Sequence, residues 1–300
     1  MIDFALAAAF ADLGPDYFEK ACELYSAAIL SEDRAERVPI IAIEQLANLE
    51  SRLGALRGYA NLVDRAIERL RELDDLAVAK VNYQNGSAKD RSESNAERQA
   101  LIGAAYKRKA AIFARRVLDG DPSAEEGFDQ AIAASIEAYG KAARQPSEEN
   151  FDPYAALNSV ALKAFAGSYP EGIDICRTCA AKANEKFMKS GKFWDAIMAP
   201  EAFMIETLCS GVFGQSTAAG DALELIIEKY DKAVRDVLVL PKEMDSVTQH
   251  ISLLALFFEA KHQPNIANGL RRLADRLNPG SSQSAEAPKS QNATAGKANV

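Results

Sequence analysis

Ala21-Cys22-Glu23-Leu24-Tyr25-Ser26-Ala27-Ala28 and Ser135-Ile136-Glu137-Ala138-Tyr139-Gly140-Lys141-Ala142 are the two stretches that decide the fold. Each places a small residue, an aromatic four positions later and a second small residue three after that. Steps of four and three residues bring all three side chains onto one helical face. Ala21, Ala28, Ser135 and Ala142 then let a neighbouring helix approach, while Tyr25 and Tyr139 fill the space above it. Ile226 to Ala233 keeps Tyr230 and the closing Ala233, and Ala66 to Leu73 keeps the opening Ala66 with Leu70 at the centre. The four copies read as a packing code repeated on the second helix of successive pairs.

Their spacing sets the architecture. Ala21 and Ala66 are 45 residues apart, and Ser135 and Ile226 are 91 apart, about twice that step. A fixed period of this size is the signature of stacked helix pairs. Elsewhere apolar residues recur at helical spacing, and no alternating run bounded by turn signals reads as a strand. Breaks fall at Gly14-Pro15, 31–37, Gly58, 82–95, Gly120-Asp121-Pro122, 145–150, 167–170, 190–192, 211–216, Leu240-Pro241 and 262–264. These divide the chain into about twelve helices in six antiparallel pairs. The expected fold is all-α, a right-handed superhelix or α-solenoid over residues 1–278. Residues 82–95, polar and carrying Asn85-Gly86, read as a mobile loop. Residues 279–300, rich in Ser, Gln, Ala and Asn, read as a disordered tail.

The pattern of a small residue, an aromatic and a small residue, followed in one copy by Pro146, resembles the second half of a tetratricopeptide repeat. Gly103 and Tyr106, in Ile102-Gly103-Ala104-Ala105-Tyr106, match that family's opening helix. A further likeness runs through Ala100 to Ala110, Ala138-Tyr139, Asp152 to Asn158 and Phe193-Trp194-Asp195. This series is similar to the helical repeats found in bacterial multidomain proteins beside CHAT or other effector domains. It also resembles the regulatory repeats of the apoptosis-signal-regulating kinases. The step of about 45 residues departs from the 34 usual for tetratricopeptide repeats. The resemblance implies a scaffold or regulatory role, and no effector activity can be carried over to this chain. A further reading is that the chain is a regulatory piece, cut or encoded apart from its effector.

Composition narrows the partners. The chain has 300 residues, 48% hydrophobic and 26% charged, with 35 Lys and Arg against 43 Asp and Glu. A formal charge of −8 has the wrong sign for a protein that mainly neutralises phosphate backbones or anionic lipid. Four cysteines without a dense framework suit a reducing, cytoplasmic setting. Residues 1–10 carry no Lys or Arg, so a secretory leader is not expected.

Motifs that could carry chemistry were weighed individually. Cys176-Arg177-Thr178-Cys179 has metal or redox spacing, but its apolar flanks favour plain burial. Asp74-Asp75 lacks the carboxylates on following turns that a diphosphate-binding helical enzyme needs. His250 and His262 are twelve apart and read as surface or helix-end residues. Lys107-Arg108-Lys109 with Arg98, Arg115 and Arg116 is the densest basic stretch. Arg98, Lys109 and Arg116 fall within about 20° on a helix, a stripe that could bind phosphate or an acidic peptide, but Lys107 points to the other side and a solvated helix face is the favoured reading. No cofactor, metal or catalytic residue is expected.

The expected function is a non-catalytic protein-interaction scaffold. The first helix of each pair would line a concave face, with Tyr106, Lys107, Asn158 and Lys163 as candidate partner contacts. Asp152 should cap the helix bearing Tyr154 and Asn158, with Pro153 at its first position. The alternative is a helical small-ligand receptor or enzyme with a central apolar cavity, for which Trp194 would be a fluorescence handle.

Overall fold

The structure is a computed structural model describing residues 4–31, 39–81, 88–144, 151–167, 169–214, 218–235 and 237–277. Its twelve described α-helices are α1 (Phe4–Asp12), α2 (Phe18–Ser31), α3 (Ile40–Arg57), α4 (Ala60–Val81), α5 (Ala88–Leu118) and α6 (Ala124–Ala143), followed by α7 (Pro153–Ala166), α8 (Gly172–Ser190), α9 (Phe193–Cys209), α10 (Ala218–Arg235), α11 (Pro241–Ala260) and α12 (Pro264–Leu277). No strand occurs among the described residues, and the chain is an all-α, tetratricopeptide-like solenoid. No described helix is long and apolar enough to cross a membrane.

Helix ends follow from local chemistry. Gly58 closes α3 at φ +73°, a left-handed position that a residue without Cβ adopts at little cost, and its N–H returns to the Gly54 carbonyl. Asp152 caps α7 by accepting from the Tyr154 N–H at 2.9 Å, with Pro153 in the first turn. The Glu243 carboxylate accepts from the Leu240 N–H at 2.9 Å ahead of α11. One boundary differs from expectation: residues 88–95 are helical and begin α5, so the loop reading over 82–95 is corrected there. Residues 82–87 and the proposed tail at 279–300 lie outside the described residues.

Successive helices from α1 to α10 pack on one another, as do α11 and α12, and α5 and α6 form the most extensive pair. Their approach depends on Gly103, whose missing side chain leaves room for the fully buried Tyr139 ring; a Cβ there would stand 2.8 Å from the ring. The Ser135 hydroxyl donates to the Gly103 carbonyl at 2.7 Å across the same seam. Ala21, Tyr25, Ala28, Ala66, Ala142 and Tyr230 are likewise buried, and Ala233 is half-buried against the core.

The first repeats are also joined by ion pairs. Arg98 of α5 is 1% exposed and reaches Glu44 at 3.0 Å and Asp74 at 2.6 Å. Lys109 meets Asp64 at 2.6 Å, and Arg65 and Arg69 both grip Glu50. Arg98 and Lys109 of the basic stripe are thus stitching between repeats, with Asp74 as Arg98's partner, whereas Arg116 stays 49% exposed and pairs with Asp121 at 2.6 Å.

The array does not stay open. Its last pair turns inward, so that α11 packs on α5 and α7. Phe257 of α11 lies 5.5 Å from Phe128 of α6 and 5.9 Å from Phe165 of α7, centroid to centroid, while Lys261 pairs with Asp129 at 2.6 Å. Gly103→Ala should destabilise the protein by about 1–3 kcal/mol through overpacking against Tyr139. Gly140→Ala on the exposed side of α6, where a Cβ meets nothing closer than 4.0 Å, should stabilise it by up to about 1 kcal/mol. Urea unfolding of the two variants checks both signs.

Candidate functional site

The inward turn of α11 leaves a partly open cavity of about 890 Å³ between α3, α5, α9 and α11, with Tyr139 and Tyr154 contributed by α6 and α7, Phe18 by α2 and Asp275 by α12. A smaller one of about 470 Å³ adjoins it, the two sharing Ala104, Arg108 and Tyr154.

Its floor is a buried polar cluster. The Lys107 ammonium donates to Asn158 Oδ1 at 2.6 Å and lies 3.2 Å from His250 Nδ1. Asn158 Nδ2 donates to the Tyr154 carbonyl at 3.0 Å, which fixes its amide orientation for Lys107. Lys107 also stands 5.7 Å from the Tyr139 ring centroid, on the face where a cation is favoured. His250 Nε2 is 3.6 Å from Glu201 Oε1, beyond hydrogen-bond length.

Burial governs how these groups titrate. Desolvation brings the Lys107 ammonium down to about 7, with Glu201 opposing and Arg108 adding to the fall. Desolvation lifts the Glu201 carboxyl to about 7 against the attraction of Lys107. His250 is held well below the usual imidazole range, first by desolvation and then by the charge of Lys107, so its ring is neutral at pH 7. With Lys107 donating to Nδ1, the ring proton belongs on Nε2, facing Glu201.

The wall on α3 and α5 is cationic. Arg108 donates to Asn48 Oδ1 at 3.1 Å and to the Ser51 hydroxyl at 2.7 Å, and burial with the nearby charge of Arg52 lowers it to about 10. The Arg52 guanidinium lies 4.5 Å from the Phe18 ring centroid. Arg115 donates to the Ala55 carbonyl at 2.8 Å. Among the described residues no carboxylate comes within 4.0 Å of Arg52, Lys107, Arg108 or Arg115. The mouth is apolar and aromatic: Leu56, Tyr154 and Trp194 are 57%, 44% and 49% exposed.

Of the four residues singled out for partner contact, the structure joins Lys107 and Asn158 at the cavity floor. Tyr106 faces α4, under the Arg71 guanidinium at 5.6 Å. Lys163 lies 5.1 Å from the Tyr169 ring centroid near the end of α7. His250 corrects the surface reading: it sits in the middle of α11 with its side chain 15% exposed, whereas His262 follows that helix's end at φ +58°. Sequence reasoning passed over Glu201 and Arg52, and placed Arg108 only within a basic stretch read as solvated. A signal existed for Glu201, an acid just after Pro200 inside the otherwise apolar run of α9. His250 also falls three residues after Val247 and four before Leu254, on the apolar face of α11. Cys176 and Cys179 are buried free thiols, and among the described residues no group of three or more His, Cys, Asp or Glu is placed to hold a metal.

The two shifted groups predict opposite pH slopes. Lys107 is depressed from its free value of 10.5, so the unfolded chain binds the extra proton between about 7 and 10.5, and stability from this group rises with pH there. Glu201 is raised from 4.5, so the folded chain holds the extra proton between 4.5 and about 7, and stability from this group falls as pH rises there. The alkaline rise in urea midpoint shown by the wild type should be lost in Lys107→Met, and its fall between pH 4.5 and about 7 should be lost in Glu201→Gln.

Comparison with known families gives one match: residues 16–163, from just before α2 to near the end of α7, match the family described as Tetratricopeptide Repeats-Sensor. No curated protein matches the chain. Tetratricopeptide-like repeats generally mediate protein–protein interaction, and the seam, period and family match agree. Residues 16–163 form a tetratricopeptide-like helical repeat region.

Proposed function

We propose that the protein is a non-catalytic regulatory module that holds a protein partner on the concave side of its helical array, at the mouth of the cavity between α3, α9 and α11. The observation that carries this reading is the clustering of Leu56, Tyr154 and Trp194, three large exposed side chains, around one opening. Aromatic residues at a concave rim give large contact area at low cost in side-chain entropy, the usual composition of an interaction hot spot. Because α11 occupies part of the concave side, the partner inserts a few side chains rather than a long helix.

An effector protein is the class of partner that the resemblance to repeats found beside effector domains supports. The word sensor in the matched family's description points the same way, to a module that reports a state to something else. Free thiols at Cys22, Cys176, Cys179 and Cys209 fit action in the cytoplasm.

Affinity recovery from lysate of the source cell, with quantitative mass spectrometry, compares the full chain with Trp194→Glu and with Tyr154→Ala. A specific partner should fall at least tenfold in recovery with either variant while far-UV circular dichroism stays unchanged. Equal recovery by all three proteins would place the partner surface elsewhere.

A further inference from the structure

We infer that the cavity is also a binding site for a small organic anion bearing at least two negative charges, gripped by Arg52, Arg108 and Arg115. This goes beyond partner docking at the mouth and concerns the interior wall on α3 and α5.

Several other arginines sit beside carboxylates: Arg98 has Glu44 and Asp74, Arg69 has Glu50, Arg177 has Glu206 and Arg271 has Glu259. In a chain of net charge −8, carboxylates are plentiful. Arg52, Arg108 and Arg115 instead converge on one cavity and are satisfied only by an aromatic ring, an amide, a hydroxyl and a backbone carbonyl. Arg108 donates from Nη1 to both of its partners, so its remaining N–H groups are available to a ligand. Removing such charges from water without an opposite charge costs free energy that a bound anion recovers.

Guanidinium forks match the geometry of carboxylate and phosphate alike, so either group fits the wall. The volume of about 890 Å³ suits a small molecule. Tyr154 and Trp194 at the mouth would cover its apolar portion. The cavity is also lined by three acids, Glu201, Asp245 and Asp275, on the side of α9, α11 and α12. They repel an anion from that side and so press it toward α3 and α5, and the neutralisation of Glu201 near pH 7 weakens that repulsion.

The test uses the purified full chain without any partner, so its failure leaves the docking proposal standing. Pyrophosphate and citrate are titrated at constant ionic strength, reading the fluorescence of Trp194, the single tryptophan, and the thermal midpoint. The expected result is a saturable fluorescence change and a raised midpoint with at least one of the two, with a Kd on the order of 1 mM or below. Preference for pyrophosphate or for citrate identifies the phosphate or carboxylate chemistry. Arg108→Gln and Arg52→Gln should weaken binding about tenfold each. Arg115→Gln, at an exposed position that folding tolerates, should weaken it as well, and Arg177→Gln, remote from the cavity, should not. No saturable response to either anion at 10-fold above that concentration, or equal responses in all four variants, would overturn the site. Tighter binding of a hexaglutamate peptide than of either anion would overturn the small-molecule assignment in favour of an acidic peptide.

Discussion

The seat of α11 on α5 is the constraint from which the concave side takes its character. In an ordinary solenoid each repeat touches only its neighbours, and the concave groove stays open to water. Here Lys107 and His250, 143 residues apart, meet at 3.2 Å, and Phe257 reaches the rings of Phe128 and Phe165. That contact turns a groove into a partly covered cavity. The cover in turn removes solvent from Lys107, Glu201 and His250, and desolvation is the first cause of the shift at each of them.

The structure handles charge in two ways, and the division follows the architecture. Between the early repeats, ions are buried in pairs: Arg98 with Glu44 and Asp74, Arg65 and Arg69 with Glu50. Breaking one member of such a set leaves an uncompensated charge, so these contacts hold the stacking register firmly even if their net contribution to stability is small. Around the cavity the cations have neutral acceptors instead. Asn158 and His250 solvate Lys107 much as water would, and Asn48 and Ser51 do the same for Arg108. Stitching and reception are thus assigned to different faces of the same helix, since α5 supplies Arg98 and Lys109 to the first and Lys107, Arg108 and Arg115 to the second.

What could be read from the sequence was whatever is local or periodic. The step between Ala21 and Ala66, the small residue at Gly103 and the cap at Asp152 each state a requirement of their own helix or its neighbour, and the fold honours them. Residues 88–95 were misread because a polar, turn-forming composition was set against no packing partner. Once a helix is nucleated further along, extending it by a few residues costs little, and α5 runs 31 residues. Arg98 was read as solvated because helical angle alone says which residues share a face, and never what that face meets. His250 was missed for the same reason at longer range: its position on the apolar face of α11 was legible, but the element opposite it, α5, was not.

The closing contact and the contents of the cavity are thermodynamically linked. Lys107, Arg108 and Arg115 come from α5, Arg52 from α3, and His250 from α11, so the space among them has its shape only while the last helix pair is seated. Whatever binds there and touches both sides favours the seated arrangement by its differential affinity for it, and the seated arrangement raises that affinity by the same factor. The mouth residues Tyr154 and Trp194 stand on α7 and α9, which adjoin α11 and the floor cluster through Asn158 and Glu201. A rim whose backing consists of the same two helices that hold the floor cannot be altered independently of it. In this fold the cavity wall and the rim formed by Tyr154 and Trp194 are therefore one mechanical unit, and a change in the one is transmitted to the other through α7 and α9.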